Sequence, residues 1–279
     1  MDNLALADAF RDALVNYRKG GAPLTVDSDD RYSLEYVPFE HVNAEAKLVI
    51  VGITPGPIQR DEACEEAGGL LRRGLPDGEI LRRVKKFAAF GGPVMRPNLE
   101  RMIDALGIMD LVGGGHAAEL WEGRSHLLHA TSVVPHAAFD KGKPFAGSFE
   151  EVQRVEVLRR SFERDFLPTL RHLRRDAYFI GLGPTPAAAL SLAASKGLID
   201  RSRILGWLAH PSKSGGSQVS IYLGEKNVAE LKERDPVRYR ADALVAAAAA
   251  LRGRINAATP DGCMTALANP TNDVLTANP

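Results

Sequence analysis

The stretch Lys47-Leu48-Val49-Ile50-Val51-Gly52-Ile53-Thr54-Pro55-Gly56-Pro57 decides the fold. Four branched apolar residues follow one another without polar alternation, which is the pattern of a strand buried on both faces, as in a parallel sheet. The two glycines and two prolines behind it close the strand in a tight, stiff turn. Three comparable runs follow at 127–134, 177–181 and 204–208. Helical patterns separate them. Residues 97–106 begin with Pro97 in a first turn and carry Leu99, Met102, Ile103 and Leu106 on one face. Residues 149–174 read as a longer amphipathic stretch broken or bent near Pro168, and 186–196 as a helix opened by Thr185-Pro186. Alternating strand and helix predict an α/β fold: a doubly wound sheet of about four mainly parallel strands flanked by helices.

Working outward, an N-terminal helix is expected over 4–17, with Leu6, Phe10, Leu14 and Tyr17 on one face and Gly20-Gly21-Ala22-Pro23 ending it. An acidic, turn-rich stretch (Asp27, Asp29, Asp30) follows. The Ala-rich window 241–251 is the most apolar and reads as a helix packed on the domain. Residues 1–256 are expected to form a single α/β domain with an N-terminal helical extension. Residues 257–279 lose periodicity and read as a mobile tail.

Over 279 residues, 45% are hydrophobic and 25% charged, which excludes a disordered chain. With Cys64 and Cys263 alone there is neither a disulfide framework nor an all-cysteine zinc or iron–sulfur site. The start, Met1-Asp2-Asn3-Leu4, is acidic and unlike a secretory signal, and no run reaches the length of a spanning helix, so a cytoplasmic, monomeric protein without membrane association is expected. Thirty-five basic residues balance 35 acidic ones, but unevenly: residues 1–66 hold 13 acidic and 6 basic, leaving the remainder net basic. That asymmetry is compatible with a nucleic-acid partner. Basic residues cluster at Arg72, Arg73, Arg82, Arg83, Lys85 and Lys86, and again at seven arginines between Arg154 and Arg175. Each cluster reads either as a solvated helix face or as a phosphate-tracking surface.

In open α/β sheets, ligands bind where strands end at their carboxyl side. Three segments lie there: Gly52-Ile53-Thr54-Pro55-Gly56-Pro57; Thr131-Ser132-Val133-Val134-Pro135-His136; and His210-Pro211-Ser212-Lys213-Ser214-Gly215. His136 is a candidate loop ligand, whereas His129, inside a buried run, reads as a core histidine. Metal-ligand spacing, a phosphate loop and a complete dinucleotide fingerprint are all missing, so neither metal nor cofactor is expected.

Together these segments resemble the uracil-DNA glycosylase superfamily, outside its iron–sulfur branches. Gly52–Gly56 matches its G-x-x-P-G pattern after the first strand, and His210-Pro211-Ser212 its H-P-S motif. Between them, Phe90-Gly-Gly-Pro93 precedes a helix beginning near Asn98 and ending in Leu106-Gly-Ile108, and Gly181-Leu-Gly183 precedes an Ala-rich helix. The resemblance spans roughly 48–216. It implies the three-layer α/β/α arrangement of that superfamily and hydrolysis of an N-glycosidic bond, releasing a uracil-like base flipped out of DNA. It further implies that Gly52, Ile53, Pro55, Gly56, Phe90 and Ser132 surround the base, with Phe90 stacking on it. Thr54 would position water, and His210 would donate to the leaving base. Ser212, Lys213 and Ser214 would lie near a phosphate. Thr54 stands where several branches carry Asp or Asn, and Ser132 where a base-reading Asn is usual. Two alternatives therefore stay open: an inactive module binding a nucleobase, nucleotide or nucleic acid, and a hydrolase of free nucleosides or nucleotides.

Overall fold

The computed structural model describes residues 6–259. The chain begins with helix α1 (Asp8–Val15) and the strands β1 (Thr25–Ser28) and β2 (Tyr32–Glu35). It then enters β3 (Leu48–Gly52), whose five residues are all buried. Three helices follow, α2 (Pro57–Arg72), α3 (Asp77–Ala88) and α4 (Met95–Ala105), and short 3-10 turns lead into β4 (Leu128–Ser132). After β5 (Ala137–Asp140) and β6 (Lys143–Pro144) come α5 (Phe149–Arg154), α6 (Glu156–Ser161) and α7 (Leu167–Leu170). The remainder runs β7 (Tyr178–Leu182), α8 (Pro184–Ser195), β8 (Ile204–Leu208), α9 (Gln218–Leu223) and α10 (Ala241–Ala258).

The four apolar runs are the four strands of one sheet, in the order β4-β3-β7-β8, paired in parallel throughout. Side chains alternate between faces along a strand, and here both faces are covered. Leu48 and Ile50 enter one core with Leu99, Met102, Leu251 and Ile255. Val49 and Val51 enter another with Phe162, Phe166 and Leu190. The continuous apolar run is thus the signature of burial on two sides, each such side chain stabilising the fold by about 1.5–3 kcal/mol.

A second sheet departs from the expectation of one sheet with a helical extension. It is antiparallel, ordered β1-β2-β5-β6, and ties the N-terminal region to the chain beyond β4. Its strands have at most four residues, and β1 and β6 carry exposed positions, so the apolar signal is weak. Helices α1, α2 and α3 pack beneath it in a third core that includes Leu14, Tyr36, Leu81 and Phe139. Helix α1 is shorter than the expected 4–17: Leu6 and Tyr17 are buried but flank it, Leu14 is buried within it, Phe10 is half-buried, and Leu4 lies outside the described residues.

The stretch 149–174 is divided more than Pro168 alone requires. Val155 is extended between α5 and α6, and a π-helical turn, Phe162–Phe166, precedes Pro168 in the first turn of α7. A proline offers no N–H to the preceding turn, and the wider turn before it accommodates that loss. Helix α10 reaches Ala258, past the expected start of the tail, whose residues 260–279, Cys263 included, lie outside the described residues. Among the described residues no helix is long and apolar enough to cross a membrane.

Candidate functional site at the carboxyl ends of the parallel strands

Beside β3 the strand order switches, with β4 added on one side and β7 on the other, so the crevice favoured for ligands in open α/β sheets lies at its carboxyl end. Gly52 ends β3, and its register partner on β4 is Ser132. A Cβ built on Gly52 would lie 3.2 Å from Phe90 Cε1 and 3.3 Å from Ser132 Oγ. A side chain at this position would press on both, and the ring and the hydroxyl would have to give by a few tenths of an ångström. Three residues far apart in sequence therefore meet at one point.

Phe90 is held there with a φ of 51°, in the left-handed region that an aromatic residue adopts only under constraint, and its ring is 5% exposed. The constraint is a hydrogen-bonded tie across three segments. The Phe90 N–H donates to Gln59 Oε1 at 3.2 Å, and Gln59 Nε2 donates to Met95 Sδ at 3.2 Å, joining the α2 start to α4. Further along α4, Asn98 Nδ2 donates to the Pro211 carbonyl at 3.0 Å, connecting the same helix to the His-Pro-Ser loop.

His210 is fixed by its own loop. The Ser212 N–H donates to His210 Nδ1 at 3.3 Å, and Ser212 Oγ lies 2.9 Å from the same nitrogen. With Nδ1 accepting a backbone N–H, a neutral ring must carry its proton on Nε2. Burial, and secondly the charge of Arg240, push the imidazole below its ordinary value, so the neutral form prevails near pH 7. Gln218 Nε2 anchors the His210 carbonyl. The loop can thus present one N–H donor from a ring that holds no charge.

The remaining expected residues divide. Thr54 is not free to position water: its hydroxyl donates to the His136 carbonyl at 2.6 Å and accepts from the Ala138 N–H at 2.9 Å. It clips the first motif to β5. The carbonyls of Gly52 and Ile53 are likewise taken, by the N–H groups of Val133 and Val134 at 2.9 Å. Ile53 packs against a core and Pro55 is buried, while Gly56 caps α2 with Pro57 in its first turn. Ser212 Oγ lies 2.9 Å from Ser214 Oγ, so the hydroxyls of both are engaged within the loop, whereas Lys213 is exposed.

His136 carries a buried Nδ1 without a partner and holds Nε2 3.9 Å from Asp165 Oδ2; burial brings its pKa down to about 4. The arginines of 154–175 are largely paired: Arg160 with Asp27 and Glu156, Arg159 with Glu163, Arg164 with Asp165, and Arg174 with Asp176. These pairs answer to solvated helix faces. In the other cluster, Lys85 departs from the surface reading altogether, being buried.

Sequence reasoning missed Gln59 and Arg240. Gln59 is a polar residue on the buried side of α2, which is a readable signal once that helix is recognised. Arg240 lies 30 positions beyond His210 in a segment without periodicity, and its buried Nε has no partner.

Against known proteins, the chain is 28% identical over 213 residues to the uncharacterized protein YoxB of Bacillus subtilis (strain 168), an alignment covering 76% of this chain and 83% of YoxB. No family model matches the chain. No solved structure matches it either.

Proposed function

We propose that the chain hydrolyses the N-glycosidic bond of a damaged or deaminated, uracil-like base in DNA, at the carboxyl ends of β3, β4 and β8. The observation that carries this reading is the meeting of Gly52, Phe90 and Ser132 at one point. Stacking of an extruded base on Phe90 requires the ring, 5% exposed, to be uncovered as the base enters, and Ser132 offers a hydroxyl for the base edge. His210 Nε2–H donates to a base carbonyl oxygen. As the glycosidic bond lengthens, its electron pair moves onto the base and the carbonyl oxygen becomes negative, so this hydrogen bond strengthens in the transition state. Water then adds to the sugar carbon, and the proton it loses passes to the departing base anion, so that the base leaves neutral. With the Thr54 proton donated to the His136 carbonyl, the route depends on leaving-group stabilisation rather than on an activated water.

That same occupied hydroxyl favours a second reading: an inactive module that uses the same strand ends to bind a nucleobase, nucleotide or nucleic acid. Incubating single- and double-stranded oligonucleotides carrying uracil, hypoxanthine or xanthine separates the two. The enzyme reading predicts base release that falls about 10²–10³-fold in His210→Ala. If no lesion is cut at high enzyme excess, it fails, and salt-dependent binding without cutting identifies the module.

A further inference from the structure

Away from the strand carboxyl ends, a cavity of about 210 Å³ opens between α3, the segment 41–43 and the exposed edge of β4. Lys85 and His129 line its interior, with Arg82, Lys86 and His126 at its exposed side and Trp121 in its wall. No Asp or Glu lines it.

Two of these groups lack partners that burial normally demands. Lys85 is 7% exposed and has no carboxylate within ion-pairing distance among the described residues. Its Nζ donates to the carbonyls of Phe39 at 2.9 Å and His41 at 2.6 Å, which accounts for two of its three protons. His129 is 1% exposed. Its Nδ1 accepts the Asn43 N–H at 3.4 Å, so the proton of the neutral ring sits on Nε2, and that buried N–H has no acceptor in the protein.

We propose that this cavity binds the oxyanion head of a small organic molecule, a phosphate or carboxylate, with the organic body against Trp121. An oxyanion accepts from Lys85 and from His129 Nε2 at once, while Arg82 and Lys86 attract it to the opening. Burial brings the Lys85 pKa down to about 7, with Glu40 opposing, so a bound anion also restores the ammonium charge. Lys85, the His129 Nε2–H, Arg82 and Lys86 all offer protons to this cavity and no carboxylate lines it, so an anion fits the set better than a cation. The site is independent of His210.

The test is calorimetric titration of the full-length protein with phenyl phosphate, benzoate and phenol. Binding of either anion, without binding of phenol, is expected; which anion binds tells whether the head is a phosphate or a carboxylate. The exposed pair Arg82→Ala/Lys86→Ala and the buried Lys85→Met should each weaken binding about tenfold or more, while His210→Ala leaves it unchanged. If Lys85→Met does not fold, the surface pair carries the test. The His129 Nε2–H resonance should move downfield on addition of the anion. The proposal is overturned if neither anion binds at millimolar concentration, if phenol binds equally, or if binding survives the surface pair and leaves the His129 resonance in place.

Discussion

Thr54 illustrates what a residue type conveys and what it withholds. Its hydroxyl suggested a role in positioning water, yet its partners are the His136 carbonyl and the Ala138 N–H, more than 80 positions away. We predict that Thr54→Val, which leaves both backbone groups without that partner, destabilises the fold by about 1–3 kcal/mol in urea titrations. Thr54→Ser should retain most of that stability. A Thr54→Val protein with an unchanged urea midpoint would contradict the structural role. His210 is the converse case: its sequence context pointed to a donor, and the bond from the Ser212 N–H explains how the loop keeps the proton on Nε2. Phe90 was legible as an aromatic near a turn, but its left-handed backbone was not, since nothing local favours it.

At the level of elements, the four parallel strands were readable because double-sided burial leaves an uninterrupted apolar run. The antiparallel sheet was not, because strands of two to four residues with one wet face carry too few positions for a pattern. The connection among α2, the Phe90 turn and α4 was equally hidden, since it depends on the single buried amide of Gln59. Replacing it by leucine preserves the apolar volume but leaves the Phe90 N–H unpaired in the interior. Gln59→Leu is therefore expected to cost about 1–3 kcal/mol and to weaken binding of any base-containing ligand through misplacement of the Phe90 ring. Stability loss with fully retained oligonucleotide affinity would show that the tie does not position the ring.

For the whole molecule, buried histidines dominate the response to acid. His41 and His136 are pushed by burial from 6.5 down to about 4, His129 lies well below its ordinary value, and His210 is lowered as well. Between 6.5 and about 4 the unfolded chain binds protons there that the folded chain does not, so stability falls on acidification, by up to about 1.4 kcal/mol per pH unit for each. Glu40 acts oppositely: burial raises it from 4.5 to about 7, so the folded chain holds the extra proton in that interval. Four histidines outweigh one carboxyl. Urea midpoints should accordingly drop from about pH 7 to about pH 5, and a midpoint that rises over this interval would refute the assignment.

By itself the sequence determined the parallel sheet, most of the helices packed on it, and the three loops that end its strands. Each follows from the spacing of apolar residues or from glycine and proline, which act through their immediate neighbours. Only the tertiary structure decided which polar groups were already engaged. It occupied the Thr54 hydroxyl, tied the Phe90 N–H to Gln59, and brought Gly52, Phe90 and Ser132 together. It also buried Lys85 away from the surface where its charge would have placed it. A hydrogen bond needs its partner within about 3 Å, and partners separated by 30 to 120 residues of chain are chosen by packing rather than by local pattern.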